Sequence, residues 1–123
     1  MENVGYDEKT VVCTIHCDKY NHIKNNQKSS STHVEDPHNT FHTYAVEWTP
    51  THIKGFIDGR NYYTYNKENS YSAWPFDGPF NIIINNAVGG NWGGQRGIDD
   101  NAFPNHYTID YVRVYNNGHT QVF

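Results

Sequence analysis

Apolar and polar residues alternate one by one along several stretches of this chain, and no stretch carries the 3.6-residue period of an amphipathic helix. Alternation places successive side chains on opposite faces of a β-strand. The clearest stretches are residues 10–16, 41–48 and 107–115. Six or so such strands without βα units predict an all-β fold, an antiparallel β-sandwich.

Two further alternating runs, His52 to Ile57 and Arg60 to Tyr65, are separated by Asp58-Gly59. An Asp-Gly pair between two such runs favours a type I′ turn, because both of its residues then adopt positive φ. The sequence therefore predicts a β-hairpin at this point.

Residues 80–86 are the most apolar strand candidate, and they run into a loop that is rich in glycine. Period-2 alternation places Asn85 on the face opposite to Phe80. The glycines permit positive φ and close backbone approach, which favours exposure of Trp92 at the end of the strand. The alternative, that Trp92 is a core aromatic and the glycines only turn the chain, is equally open.

Polar segments separate the predicted strands. Residues 7–9 predict a turn, and residues 17–39 predict a long loop with a short strand near residues 27–33. Cys13 and Cys17 lie four residues apart, which is roughly 13 Å along a strand and beyond disulfide reach, so both are predicted to be free thiols. The eight histidines match no zinc-binding pattern.

Composition narrows the class of ligand. The net charge is -4, and no basic cluster is present, which argues against nucleic acid as a partner. No run approaches 18 apolar residues and no leader pattern precedes the fold, so neither a membrane span nor a signal peptide is expected.

Ten Tyr, six Phe and three Trp occur beside sixteen Asn. Aromatic faces beside amide groups suit sugar rings, which offer C–H patches and hydroxyl groups.

Several motifs follow one another in a defined order. They are Thr14-Ile15-His16, Phe41 to Trp48, Phe56-Ile57-Asp58-Gly59, Trp74 to Phe80, Asn85 with Ala87 to Trp92, and Ile109 to Tyr115. This set covers nearly the whole chain and resembles glycoside hydrolase family 16, the laminarinase and mixed-linkage β-glucanase group. The resemblance implies a concanavalin-like jelly roll, of which this chain carries only the C-terminal part, with a β-glucan on its concave face.

The family's catalytic signature is Glu-x-Asp-x-x-Glu, commonly ending in Met-Glu, and this chain opens with Met1-Glu2-Asn3-Val4-Gly5. By resemblance, Glu2 is the last carboxylate of that motif, the general acid/base of a retaining double displacement. The alternative is that Glu2 is a solvated terminal residue. Retaining hydrolysis requires two carboxyl groups about 5 to 5.5 Å apart. The nucleophilic Glu is expected outside this sequence, so the isolated chain is predicted to be inactive.

The resemblance also implies residues that contact the substrate. His16 is similar to the family's cleft histidine, which hydrogen-bonds sugar hydroxyls beyond the scissile bond. Asn85 and Trp92 match the strand and loop around the glycan. Tyr20 lies in a loop that resembles one of mixed-linkage glucanases, and solvation without a sugar contact is the alternative interpretation for it.

Two further predictions concern tryptophan and calcium. Trp48 and Trp74 are possible sugar-stacking residues, but Trp48 shares a strand face with Tyr44 and Val46, which favours core packing. Asp110 matches a position from which family members ligate a structural Ca²⁺. One carboxylate falls short of the six to eight oxygens that Ca²⁺ prefers. No other cofactor is expected.

Residues 1–123 are therefore interpreted as a single partial glycoside hydrolase domain whose N-terminal half is missing. The expected function is endo-hydrolysis of β-1,3 or mixed β-1,3-1,4 glucans; the alternative is a non-catalytic, lectin-like sandwich that binds β-glucan. The expected partners are a β-glucan and either a complementary N-terminal half chain or a second copy. The chain is interpreted as the C-terminal portion of a β-glucanase, and a truncated gene product, a cleaved segment and half of a complex are the alternatives for its origin. A polymeric substrate implies a secreted or periplasmic protein.

Overall fold

The computed structural model describes residues 1–116 and 119–122, the last four by their backbone alone. The strands in chain order are β1 (Glu2–Val4), β2 (Asp7–Ile15), β3 (Lys28–His33), β4 (Tyr44–Trp48), β5 (His52–Ile57), β6 (Arg60–Asn66), β7 (Arg113–Asn116) and β8 (His119–Val122). Two short 3-10 helices span His22–Lys24 and Asp100–Ala102. Within the described ranges, no helix has the length and apolar character needed to cross a membrane. Met1–Ile83 and Ile84–Phe123 form two compact units, each described by itself.

The first sheet has the order β1-β2-β3, and both of its pairings are antiparallel. β3 confirms the short strand expected near residues 27–33. The turn expected at residues 7–9 is wrong, because these residues begin β2 and Asp7 already pairs with Val4 of β1. The connection is thus only Gly5 and Tyr6, and the polar side chains of residues 7–9 are tolerated because this end of β2 is largely solvated.

The second sheet has the order β4-β5-β6, again antiparallel. The predicted hairpin is confirmed between β5 and β6. Asp58 has φ of 50° and Gly59 has φ of 77°, and positive φ at both turn residues is the geometry that a type I′ turn requires. The turn matches the right-handed twist of the two strands that it joins.

The inner faces of the two sheets pack against each other and form the core of the first unit. One cluster contains Cys13 and Ile15 of β2, Tyr63 and Tyr65 of β6, and Trp74. A smaller cluster contains Val11, Val34 and Ile57. Two antiparallel sheets packed face to face confirm the predicted all-β sandwich class.

Both cysteines are free thiols, as predicted. Cys13 lies between the sheets, where a methyl group added at Gly55 would be only 2.9 Å from its Sγ. Gly55 therefore permits the close approach of β2 and β5. Cys17 is half-buried at the start of the loop that follows β2.

The strand expected at residues 80–86 is not present, since residues 79–90 belong to no strand. A strand exists only where its backbone forms a hydrogen-bonded ladder, and within the described residues no strand pairs with this segment. The strand expected at 107–115 is likewise shorter, being confined to β7, which pairs with β8. Sequence alternation alone therefore overestimated both elements.

Core packing of Trp48 is also wrong for the described residues, because the side chain is about half exposed. Its ring contacts Phe80 edge-on at 5.6 Å, and its Nε1 donates a hydrogen bond to the carbonyl oxygen of Phe76 at 3.0 Å. Trp74, in contrast, is buried and stacks on Tyr65. Trp74 is therefore a core residue, and its buried ring has no exposed face on which a sugar could stack.

Candidate functional site

The outer face of the first sheet carries the predicted acid/base. Glu2 pairs with Val12 across β1 and β2, and directly paired residues of an antiparallel sheet point to the same face. Val11 and Cys13 are buried, so Val12 and its partner Glu2 point away from the core. The carboxylate of Glu2 is exposed on this outer face. The register shifts between Glu2 and Val4, and such a bulge re-aims side chains.

Hydroxyl groups surround this position on the same face. Thr14 of β2 pairs with Ser29 of β3, and Val12 pairs with Ser31. Thr10 lies two residues before Val12 on β2, so it points to the same face as Val12 and Thr14. We call Thr10, Thr14, Ser29 and Ser31 the hydroxyl stripe. A hydroxyl donates one hydrogen bond and accepts two, which matches the hydrogen-bonding capacity of a sugar hydroxyl.

Sequence reasoning did not identify the hydroxyl stripe. Residues 28–33 are all polar, so they show no apolar alternation that would reveal which side chains face outward. The register with β2 supplies that information, because Cys13 pairs with Ser30 and thereby assigns Ser30 to the inner face. Strand pairing, rather than composition, was the missing signal.

His16 lies immediately after β2 and is exposed. It lies two residues after Thr14 and four after Val12, so it continues the series of residues that point to the outer face. At about 3.3 Å per residue it lies roughly 13 Å along the chain from Val12. Its ring meets the ring of His22 edge-on at 5.4 Å. The geometry leaves His16 accessible at the end of the outer face, and its contact with substrate stays a prediction.

Tyr20 is held by the protein itself. Its hydroxyl donates to Oε2 of Glu68 at 3.1 Å, and its ring meets Tyr65 edge-on at 6.4 Å. The ammonium groups of Lys19 and Lys28 lie 5.0 and 4.4 Å from the ring centroid. This geometry accounts for Tyr20 as an anchor of the loop after β2, and its predicted sugar contact remains untested.

Glu68 is the centre of that anchor. Lys19 Nζ donates to Glu68 Oε2 at 2.7 Å, and the hydroxyl of Tyr20 donates to the same oxygen. The hydroxyl of Tyr65 lies 3.3 Å from Glu68 Oε1 and shares its single proton with the carbonyl oxygen of Ala73 at 2.8 Å. The hydrogen bond from Lys19, followed by the one from Tyr20, lowers the pKa of Glu68. Burial raises the pKa of the Tyr65 hydroxyl, which keeps it a donor. Glu68 lies 48 residues from Tyr20 in sequence, so no local pattern indicated this contact.

Asparagine side chains shape the same loop. Asn21 Oδ1 accepts from the backbone of Lys24 and caps the first 3-10 helix, while the backbone N–H of Asn21 donates to Asn26 Oδ1. Asn26 Nδ2 in turn donates to the carbonyl oxygen of Lys19. The loop that the sequence predicted as long and irregular is therefore a compact, internally bonded segment.

Asn85 and Trp92 lie in the second compact unit. Asn85 is exposed within a segment that forms no strand. Trp92 lies in the turn after Gly89 and Gly90, whose φ values of 74° and 82° favour glycine. The turn is closed by a hydrogen bond from the N–H of Gly94 to the carbonyl oxygen of Gly90 at 3.0 Å. Trp92 is 39% exposed, so it is not a buried core residue of this unit. Sugar contacts by both residues stay predictions.

Asp110 does not complete a calcium site with its neighbours. It is exposed, and among the described residues no group of three or more His, Cys, Asp or Glu side chains converges at any point. One carboxylate supplies at most two of the six to eight oxygens that Ca²⁺ requires. The carboxylate of Asp110 alone therefore supplies too few oxygens, and its ligand role stays a prediction.

A second group of titratable residues lines a cleft of about 360 Å³, formed by His33, Val34, Glu35, His42, Ile57, Asp58 and Arg60. The hydrogen bond from His42 lowers the pKa of Asp58, and the bond from His33 lowers that of Glu35. A glycosidase acid needs a raised pKa, so both carboxyls are ionised and unsuited to that role.

Comparisons with known proteins agree on one family of enzymes. Residues 1–113 match the family model of "Glycosyl hydrolases family 16". The chain is 45% identical over 121 residues to "Beta-glucanase" of Rhodothermus marinus, which covers 94% of this chain and 42% of the relative. It is 39% identical over 84 residues to "Glucan endo-1,3-beta-glucosidase A1" of Niallia circulans, across 63% of this chain and 12% of that protein.

Solved structures give the same result. The laminarinase from Rhodothermus marinus superimposes with a TM-score of 0.80 at 42% identity, over 83% of this chain and 43% of that one. A mutant of SCLam, a non-specific endo-β-1,3(4)-glucanase co-crystallised with a glucan oligosaccharide, gives 0.72 at 38% identity, over 83% and 40%. The chain thus spans less than half the length of the relatives that it matches.

Proposed function

Since the chain belongs to the glycosyl hydrolases of family 16, we propose that it carries the acid/base side of an endo-β-1,3(4)-glucanase site. The predicted family and the predicted jelly-roll sandwich are confirmed by the family match and by the likeness to laminarinase. Glu2 is the proposed general acid/base. The observation that carries this role is its register opposite Val12, which directs the carboxylate outward beside the hydroxyl stripe.

The proposed chemistry is retaining hydrolysis in two steps. Glu2 protonates the glycosidic oxygen as it leaves, while a second carboxylate attacks the anomeric carbon and forms a glycosyl ester. Glu2 then removes a proton from water, which hydrolyses the ester. One carboxylate cannot perform both roles, so the nucleophile is proposed to lie outside residues 1–123, and residues 1–123 alone are expected to lack glucanase activity.

The proposed substrate is a β-1,3 or mixed-linkage glucan. Relatives named for this activity support the class, and the hydroxyl stripe supplies donors and acceptors beside Glu2. His16 extends the same face and is proposed to hydrogen-bond a sugar beyond the scissile bond. In the second unit, Asn85 and the exposed ring of Trp92 are proposed to contact the glycan. We further propose a secreted or periplasmic location, because such polymers lie outside the cytoplasm.

A second candidate function is binding of β-glucan without hydrolysis. The hydroxyl stripe favours it, because hydroxyl contacts to a sugar need no second carboxylate. This function and the first share a ligand, so they differ only in whether Glu2 transfers a proton during turnover.

The test joins this chain to the part of the Rhodothermus marinus β-glucanase that has no counterpart in it. The chimera is expected to release reducing sugar from laminarin, and Glu2→Gln is expected to reduce kcat at least about 100-fold, which is the usual contribution of a general acid/base. Glu8→Gln is the matched control, since Glu8 lies on the neighbouring strand and binds His38.

Added azide distinguishes the roles of Glu2 further. On an activated aryl β-glycoside, whose leaving group departs without protonation, azide replaces water in the second step and needs no general base, so it is expected to restore turnover to Glu2→Gln and to give a β-glycosyl azide. Unchanged kcat in Glu2→Gln would contradict the acid/base role. Laminarin binding without hydrolysis by the wild-type chimera would favour the second candidate function.

A further inference from the structure

The imidazole rings of His16 and His22 lie side by side in the loop after β2. Their centroids are 5.4 Å apart and their planes are nearly perpendicular, at 82°. Both residues are exposed. Six positions separate them in the sequence, a spacing that matches no zinc-binding pattern, so the fold of the loop brings them together. Two imidazoles this close can act as ligands of one metal ion.

The protein does not use the ring nitrogens of this pair. Among the described residues, the contact between the two rings is the only interaction of either side chain. In a neutral imidazole one nitrogen has a free lone pair, and this is the atom that coordinates a metal. Four other histidines instead place a ring nitrogen 2.6 to 3.0 Å from a carboxylate oxygen, namely His33, His38, His42 and His52.

The separation of the two rings suits tetrahedral coordination. A Zn–N bond of about 2.0 to 2.1 Å places a ring centroid about 3.2 Å from the ion, so two imidazoles at a tetrahedral angle have centroids about 5.2 Å apart. The observed separation is 5.4 Å. A right angle between the bonds, as in the planar sites of Cu²⁺, would need about 4.5 Å. The distance therefore favours Zn²⁺, and rotation of the two exposed side chains aims both nitrogens at one point.

Hydrogen bonds hold the loop between the two ligands in one conformation. The backbone N–H of Cys17 donates to the carbonyl oxygen of Tyr20 at 2.7 Å, and Asn21 caps the 3-10 helix that begins at His22. Glu68 binds the hydroxyl of Tyr20 from outside the loop. The spacing of the two imidazoles is thus set before the ion arrives, which lowers the entropic cost of binding.

We propose that His16 and His22 bind one Zn²⁺ ion, with water in the two remaining coordination positions, and that the bound ion keeps His16 from contacting the glucan. Binding requires only the two rings. The effect on the glucan rests on the proposed function, in which His16 hydrogen-bonds a sugar. A nitrogen that coordinates the ion cannot also bond a sugar hydroxyl, and the ion with its waters occupies the space beside the ring.

Calorimetric titration of residues 1–123 with zinc chloride at pH 7.5 tests the site without any need for activity. His22→Phe keeps a ring against His16 but removes a ligand. Its affinity should fall at least about tenfold, since loss of a ligand's hydrogen-bond partner alone costs about 10- to 100-fold. His38→Phe is the matched control, because His38 is also exposed but already binds Glu8, and it should leave the affinity unchanged.

Three results of the titration would overturn the site. They are no saturable binding to the wild-type chain, equal affinities of wild type and His22→Phe, and an equal loss of affinity in His38→Phe. Light scattering adds a fourth, because a dimer that forms only with Zn²⁺ would show that the ion bridges two molecules. Circular dichroism establishes that the variants remain folded, and His22→Gln repeats the comparison without an added aromatic ring.

Laminarin binding by the chimera separates this inference from the proposed function. Zn²⁺ is expected to weaken laminarin binding to the wild-type chimera and not to the His22→Phe chimera. Equal weakening in both, or no effect on either, would overturn the blocking of His16. A chimera that does not bind laminarin at all would contradict the proposed function and the blocking effect with it, and would leave the metal site supported by the first titration.

Discussion

Nδ1 of His42 lies 2.7 Å from Oδ2 of Asp58, the first residue of the turn between β5 and β6. Its Nε2 lies 2.8 Å from the carbonyl oxygen of Glu35. Both partners are acceptors, so the two contacts favour the imidazolium form of His42, in which both ring nitrogens carry a proton. The hydrogen bond to Asp58 raises the pKa of His42 above its ordinary value of about 6.5.

This pair gives stability a defined dependence on pH. A raised folded-state pKa means that the contribution of His42 is complete below its unfolded pKa and is lost as pH rises through the folded pKa. The lowered pKa of Asp58 has the opposite sign, so its contribution is lost only as the solution becomes strongly acidic. His42→Gln is expected to remove about 1 kcal/mol at pH 6 and less at pH 9. Urea unfolding at pH 6 and at pH 9 measures the loss of stability in His42→Gln. Equal losses at the two pH values would contradict a protonated His42.

Gly55 is expected to tolerate no side chain. Gly55→Ala places a methyl group 2.9 Å from Sγ of Cys13, which should reduce the free energy of unfolding by about 1 to 3 kcal/mol. Cys13→Ala removes that atom, so the double variant should lose less than the sum of the two single losses. Gly78→Ala is the control, because nothing lies within 4 Å of the added methyl. Additive losses by urea unfolding would show that the sulfur is not the obstacle.

The carboxylate of Glu68 is expected to order the loop after β2. Glu68→Gln weakens the bonds from Lys19 and Tyr20, so backbone amides in residues 17–26 should exchange with solvent about tenfold faster. Glu47→Gln serves as the comparison, since Glu47 likewise pairs with a lysine, Lys54, but lies on β4. Hydrogen exchange with mass spectrometry resolves the loop, and unchanged protection there would exclude Glu68 as its anchor.

The hydroxyl stripe is expected to contribute to glucan binding. Thr14→Val and Ser29→Ala each remove one hydroxyl from the outer face, and each should weaken laminarin binding to the chimera about fivefold, as expected for a hydrogen bond worth about 1 kcal/mol. Ser30→Ala is matched, because Ser30 is the neighbouring serine on the inner face. Calorimetric titration compares the three, and equal affinities for Ser29→Ala and Ser30→Ala would locate the glycan elsewhere.

Local signals in the sequence predicted the local features. Asp58-Gly59 specified its hairpin because the turn depends only on the φ values of two adjacent residues. Alternation identified β2 and β4 because one face of each strand is apolar. Residues 80–86 carried an equally strong pattern but form no strand, since pairing depends on a neighbouring strand rather than on the segment itself.

The candidate site needed the structure for a related reason. Resemblance identified Glu2, but its outward direction follows from pairing with Val12 across a bulge. The bond between Glu68 and Tyr20 joins residues 48 positions apart, and the double contact of His42 joins three separate segments. Hydrogen bonds between residues that are distant in sequence produce no periodic pattern from which a single sequence could predict them.

The two thiols provide intrinsic probes of how the molecule opens. Burial raises the pKa of the Cys13 thiol between the sheets, whereas Cys17 is half-buried beside the anchored loop. Only a thiolate reacts with an alkylating agent. Labelling of Cys17 therefore times local release of the loop, and labelling of Cys13 times separation of the two sheets. These are the two cysteines of the chain, so both rates are readable from unmodified protein by mass alone.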